Sequence, residues 1–233
     1  MEKKTKPIAI ADSKDWACNI AVIGPSGSGK STSIENLPIS RTVILNIENK
    51  KLPFQKKFPN EIRIKDYRQM LGTKEVEGYL PKAIASPDID FIVLESFTSW
   101  AEMLLRYAKM YKDGYDIYNL YNDEIANFME MIKFQDSKMI FMIGIPENVQ
   151  GAEGLVEKRM KVSGKQWDGM IEKEFPIVFF TSARKNDQDE IEYHFNTQTD
   201  GITSAKTPRG MFEEPQIPND LLAVAKAIKK YYK

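Results

Sequence analysis

Gly24-Pro25-Ser26-Gly27-Ser28-Gly29-Lys30-Ser31-Thr32 follows directly on the apolar run Cys-Asn-Ile-Ala-Val-Ile at 18–23, and this stretch decides the fold. Gly24, Gly29, Lys30 and Ser31 satisfy G-x-x-x-x-G-K-[ST]. In that pattern glycines let backbone N–H groups wrap phosphates, and the start of the following helix adds the positive end of its dipole. Glycine makes up about 7% of an average sequence, so a chance match in a chain of this length is on the order of one per cent. Its place after an apolar strand lowers that further. The spacing assigns residues 24–32 to a nucleotide such as ATP, with the Lys30 ammonium on the β and γ phosphates and the Ser31 hydroxyl on Mg²⁺. A helix is expected from about Lys30 to Asn36, stopped near Pro38.

Outward from the loop, apolar runs alternate with helical stretches. Strands are expected at 42–48, 62–64, 90–95 and 138–145, and helices at 75–85, 97–112 and 117–134. That alternation implies βαβ units and a mostly parallel sheet. The segment 146–169 turns polar and Gly-rich without a clear period, longer than an ordinary connector. Further strands at 175–181 and 190–196 are joined by a polar turn, and Asn219 is placed to cap a C-terminal helix.

The chain has 233 residues, 42% hydrophobic and 28% charged, which fits one soluble domain: an arm at 1–16 and a core at 17–233. No apolar run reaches the length of about 18 residues that a membrane span needs, so no membrane partner is expected. The charged first residues lead into no apolar signal core, and a single cysteine, Cys18, precludes an internal disulfide; a cytoplasmic location is expected. Lys plus Arg and Asp plus Glu are 33 each, so affinity for nucleic acid needs a local basic patch. Cys18 reads as a packing residue, and His194, on the polar face of its strand, as a surface one.

Phosphoryl chemistry in such a fold requires a carboxylate beside the metal and a group that orients or deprotonates the attacking water. Glu95 ends the run Phe91-Ile-Val-Leu and precedes Ser96, the Walker B position. Most such strands end in Asp, and the longer Glu reaches a metal-bound water more readily than the metal itself. The competing reading is an acid that caps the next helix. Glu48 closes the strand at 43–47, at the sheet edge where ligands of open α/β sheets gather. Its competing reading is a solvated turn acid.

Taken together, the loop, the strands ending at Glu48 and at Glu95-Ser96, Gly-Lys-Gln-Trp-Asp-Gly at 164–169 and Asp-Gly-Ile-Thr-Ser-Ala-Lys-Thr-Pro-Arg-Gly-Met-Phe at 200–212 resemble the phage-encoded RecA-like AAA-type ATP-binding proteins. Some of these act in single-strand annealing or recombination. The resemblance spans roughly residues 17–232. It implies an α/β RecA-like P-loop NTPase fold, with a mostly parallel central sheet flanked by helices and late antiparallel strands. It also implies ATP and Mg²⁺ as cofactors, a ring or filament of identical subunits, single-stranded DNA as partner, and the host cytoplasm as location. Glu48 maps to the general base, with Glu95 as the second acidic residue of the site. Asn148 becomes the candidate γ-phosphate sensor, with Glu147 its rival, in a text that departs from the usual Gln or His. Lys206 and Arg209 match residues that reach the nucleotide of a neighbouring subunit.

For DNA, Lys158, Arg159, Lys161 and Lys165 cluster beside Trp167, pairing cations for the backbone with a ring on which a base can stack. Glu153 and Glu157 offset part of that charge, and Trp167 has a core reading as well. Lys109-Met-Tyr-Lys-Asp-Gly-Tyr115 is a second candidate surface. Two other functions compete with an ATPase. A nucleotide kinase shares this loop pattern, but the Arg-Pro acceptor motif of guanylate kinases is missing between 36 and 80. A non-catalytic module would use ATP only to organise partner binding.

Overall fold

The structure, a computed structural model, describes residues 17–150, 156–167 and 169–233; the 1–16 arm and Glu153 lie outside them. The chain enters through β1 (Cys18–Ile23), crosses to β2 (Thr42–Asn46) and β3 (Glu61–Arg63), and passes two short helices, α1 (Arg68–Leu71) and α2 (Tyr79–Ala85). Then come β4 (Phe91–Glu95), the long helices α3 (Phe97–Tyr111) and α4 (Tyr115–Phe134), and β5 (Met139–Gly144). An antiparallel ribbon, β6 (Pro146–Gln150) and β7 (Val156–Met160), precedes β8 (Ile177–Lys185), β9 (Ile191–Asn196), β10 (Gln216–Pro218) and α5 (Leu221–Tyr231).

Eight strands form the central sheet in the order β10-β9-β8-β1-β5-β4-β2-β3. The strands from β8 to β3 run parallel, while β9 pairs antiparallel with both β8 and β10. This is the α/β arrangement expected, a mostly parallel central sheet flanked by helices with late antiparallel strands, in which β5 separates the loop-bearing β1 from β4. Chain order reverses between β1 and β8, and the crevice at such a switch point is where open α/β sheets take ligands.

Both faces of the sheet are covered, which is why its strands read as unbroken apolar runs. In β1, Ala21 and Ile23 face the core cluster that holds the buried residues of α2, α3 and α4, while Ile20 and Val22 face the one that holds Leu221, Val224 and Ile228 of α5. Trp100 is fully buried between Phe97 and Phe128, and its indole N–H donates to the Tyr67 carbonyl at 2.9 Å. Cys18 is a packing residue as expected, and burial pushes its thiol up to about 12. Among the described residues, no helix is long and apolar enough to cross a membrane.

Three expectations need correction. After the loop the chain makes only a 3-10 turn, Thr32–Ile34, and not a helix to Asn36. The reason is local: Ser and Thr compete for backbone partners, and the Ser33 hydroxyl donates to the Lys30 carbonyl at 2.5 Å. Lys56 then takes the Glu35 and Leu37 carbonyls at 2.6 and 3.0 Å, ending the turn. The polar stretch after Pro146 holds the β6–β7 ribbon rather than irregular loop alone. The cap of α5 is Asp220, not Asn219: its carboxylate accepts from the N–H groups of Leu222 and Ala223 at 2.8 and 3.1 Å.

Candidate nucleotide site

The loop leaves β1 at Gly24, where a Cβ would collide with the Thr181 hydroxyl of β8. Gly29 has φ +91°, and a Cβ there would run into the Tyr193 ring and the Asn219 amide. Only glycine fits either position. Side chains from late in the chain brace the loop. Asn219 Nδ2 donates to the Gly29 carbonyl at 2.7 Å, and Ser28 hydrogen-bonds Thr181. Asn219, displaced from the capping role by its neighbour, therefore anchors the loop to the start of α5.

Lys30 is half-buried and donates to the Pro25 carbonyl at 2.7 Å, which curls its ammonium over the loop. Burial lowers its pKa, opposed by the charges of Glu95 and Glu48. The Ser31 hydroxyl donates to Glu95 Oε1 at 2.8 Å, so the last residue of β4 meets the loop directly. Glu95 is only 6% exposed, and its other oxygen, Oε2, is buried without a partner. Burial pushes this carboxyl up to about 7, the Ser31 hydrogen bond opposing and Glu48 adding to the shift. A buried carboxylate oxygen without a partner, beside a hydroxyl, is a donor set that fits a hard, oxygen-seeking divalent cation such as Mg²⁺. The N-cap of α3 is the neighbouring Ser96, which accepts from Ser99 N–H, so Glu95 does not cap that helix.

Glu48 lies just beyond β2. Its carboxylate pairs with Lys50 Nζ at 2.7 Å and receives a long hydrogen bond from Ser99 Oγ at 3.5 Å. Gly29, Lys30, Ser31, Glu48, Lys50 and Glu95 all line one cavity of about 320 Å³ at the C-terminal edge of the sheet. Leu52, Pro53, Ile145 and Tyr193 supply further wall. Sequence reading brought Lys30, Ser31, Glu48 and Glu95 to this place. It missed Lys50, Tyr193, Asn219 and Thr181, which carry no motif; only the text Glu-Asn-Lys after Glu48 was there to be seen.

The buried Glu95 has a consequence for stability. Its pKa rises from 4.5 to about 7 on folding, so between those values the folded chain holds a proton that the unfolded chain has released. Stability therefore falls as pH rises through this window. The Glu95→Gln protein has no such slope. In Mg²⁺-free buffer the loss of unfolding free energy from about pH 5 to about pH 8 should shrink by on the order of 2–3 kcal/mol in this variant. Denaturant titration at the two pH values measures it, and equal slopes in both proteins would refute the assignment.

Asn148 stands elsewhere, exposed on β6 opposite Lys158, and the residue of this region that lines the cavity is Ile145. Glu147, its rival, accepts from the Val162 N–H at 3.2 Å. In the ribbon, Arg159 pairs with Glu157, and Lys161 pairs with Glu102 of α3 at 2.8 Å. Trp167 packs on the core and donates to Asn122 at 3.0 Å. Lys158 lines a groove on the far side of the loop, with Pro25, Ser26, Gly27 and Ser28. The Lys165 side chain lies outside the described residues.

Lys206 bonds through its backbone to Val178 at the edge of β8, and its side chain shares a cavity with Glu172 and Arg159. Burial lowers its pKa, with Glu172 and Glu174 opposing. Arg209 is exposed, on a turn closed by Met211 N–H to the Pro208 carbonyl at 3.1 Å, with Gly210 at φ +79°. The Tyr231 hydroxyl, at the end of α5, donates to the Arg209 carbonyl. Arg209 is not among the residues that line the candidate cavity of its own chain.

No protein-family model matches the chain, and no curated protein matches it. Among solved structures, it is similar to the crystal structure of the flagellar accessory protein FlaH from Methanocaldococcus jannaschii. Identity is 10% and the TM-score 0.39, over 86% of this chain and 83% of that one.

Proposed function

We propose that this chain binds Mg²⁺-ATP and hydrolyses it. The observation that carries the reading is the convergence of Lys30, Ser31, Glu48 and Glu95, from separate elements, on one cavity at the sheet edge. Loop N–H groups and Lys30 bind the β and γ phosphates. Ser31 and the free oxygen of Glu95 would hold Mg²⁺, which when bound offsets phosphate charge. Glu48 accepts a proton from water as the water oxygen bonds to the γ-phosphorus. The bond from that phosphorus to the bridging oxygen breaks, and its electron pair leaves with ADP. Steady-state phosphate release with Mg²⁺ and with excess EDTA tests this: turnover only with Mg²⁺ is expected, and ATP binding without any turnover would overturn the hydrolytic half. That second result is the signature of a non-catalytic nucleotide module, a reading favoured by the position of Asn148 away from the cavity.

The resemblance extends the proposal to phage single-strand annealing or recombination, with single-stranded DNA and further copies of the chain as partners. In such an assembly Arg209, exposed and outside the lining of its own cavity, acts on the nucleotide of the next subunit. Lys206 first has to leave the neighbourhood of Glu172. For DNA, Lys158 is the cation of the ribbon best placed to contribute, because Arg159 and Lys161 already hold carboxylates. Binding of an oligothymidylate with ATP present should weaken steeply with salt, and Lys158→Ala should reduce the logarithmic slope by about 1. Fluorescence anisotropy across a salt series measures both. Binding that is absent or independent of salt would remove DNA from the proposal.

A further inference from the structure

The nucleotide cavity contains two lysines besides Lys30, namely Lys50 and Lys51, that no phosphate-loop motif predicts, and Lys50 pairs with a carboxylate of the site. Lys50 is reached through a tight reversal. Asn49 adopts φ +56° and donates through its side chain to the Ile47 and Ile64 carbonyls at 3.0 and 2.7 Å, while buried Asn46 donates to the Lys50 carbonyl at 2.8 Å. These bonds hold the Lys50 backbone at the cavity wall. The side chain is left loose, 77% exposed, and its ammonium rests on Glu48 Oε2 at 2.7 Å. An ion pair so exposed is weak, whereas a phosphate offers charge-assisted hydrogen bonds to the same ammonium. Glu48, 20% exposed, is the more confined member, so the lysine is the one that can move.

From this geometry we infer that Lys50 is the γ-phosphate sensor of the site and the latch on its base. It pairs with Glu48 until a γ-phosphate enters, then transfers to that phosphate and releases the Glu48 carboxylate to take a proton from water. The inference rests on the nucleotide reading above and deepens it. It places the sensor two residues after the base, in the same chain, at the wall where Asn148 is not found. It also couples readiness of the base to the presence of the third phosphate, so ADP leaves the latch closed.

The test is calorimetric titration of wild type, Lys50→Met and Lys50→Arg with ATP and with ADP in Mg²⁺ buffer, alongside steady-state turnover. Lys50→Met should lose tenfold or more in ATP affinity and keep ADP affinity within about twofold, while turnover falls at saturating ATP. Lys50→Arg should recover most of the ATP preference. Glu48→Gln, which gives the lysine no anion to leave, should bind ATP a few-fold more tightly than wild type. A merely structural lysine would alter both nucleotides alike. Equal losses for ATP and ADP, or an unchanged ATP preference in Lys50→Met, overturn the inference while leaving the phosphate-loop reading intact. Wild-type protein that binds neither nucleotide overturns both.

Discussion

Lys30→Ala is expected to lower ATP affinity by about 10²–10³-fold while leaving the fold unchanged. The ammonium has one hydrogen bond of its own, to the Pro25 carbonyl at 2.7 Å, and burial disfavours its charged form, so the fold gains little from it. Its charge serves a ligand instead. Removing one member of a close, partly desolvated charge pair costs about 2–5 kcal/mol, which sets the size of the loss. The exposed neighbours Lys50 and Lys51 line the same cavity but stand beyond the loop, so they cannot take the place of a lysine curled within it. Calorimetric titration with ATP and a thermal melt of the same sample separate binding from folding. Unchanged affinity would end the phosphate-loop reading, and a collapsed melt would show that Lys30 is structural.

Glu48→Gln is expected to keep ATP bound and to slow turnover by about 10²-fold or more, the contribution typical of a general base. Glutamine keeps the size of the side chain and its hydrogen bond with Ser99, but it accepts no proton from water. Glu95 is the control. In the proposed site it holds the metal together with its hydroxyl partner Ser31, so Glu95→Gln should raise the Mg²⁺ requirement instead of leaving Mg²⁺-ATP binding intact. Single-turnover phosphate release under saturating Mg²⁺ distinguishes the two. Normal turnover in Glu48→Gln with none in Glu95→Gln would reverse the assignment.

The parts of the site that were legible share one property: their meaning is local. Gly24, Gly29, Lys30 and Ser31 were legible through their spacing along a single turn of backbone. Glu48 and Glu95 were legible because they close apolar runs, and a parallel sheet brings strand ends to one edge, where both line the same cavity. The missed residues have no local meaning. Tyr193 and Asn219 touch Gly29 across a long stretch of chain, and the text around Asn219 speaks only of a helix cap, not of the loop. The ribbon cations read as a basic patch because Glu102, the partner of Lys161, is far away in sequence.

By itself, then, the sequence determined the phosphate loop, the alternation that makes the sheet parallel, and the two carboxylates at its edge, since each follows from backbone geometry and periodicity within a few residues. Only the tertiary structure decided which charges are already paired. It tied Lys161 to α3, set Lys206 beside Glu172, held Lys50 over Glu48 and took Asn148 out to the ribbon. The physical reason is that the strength and availability of a charge depend on burial and on partners within a few ångströms, and those distances are created by folding.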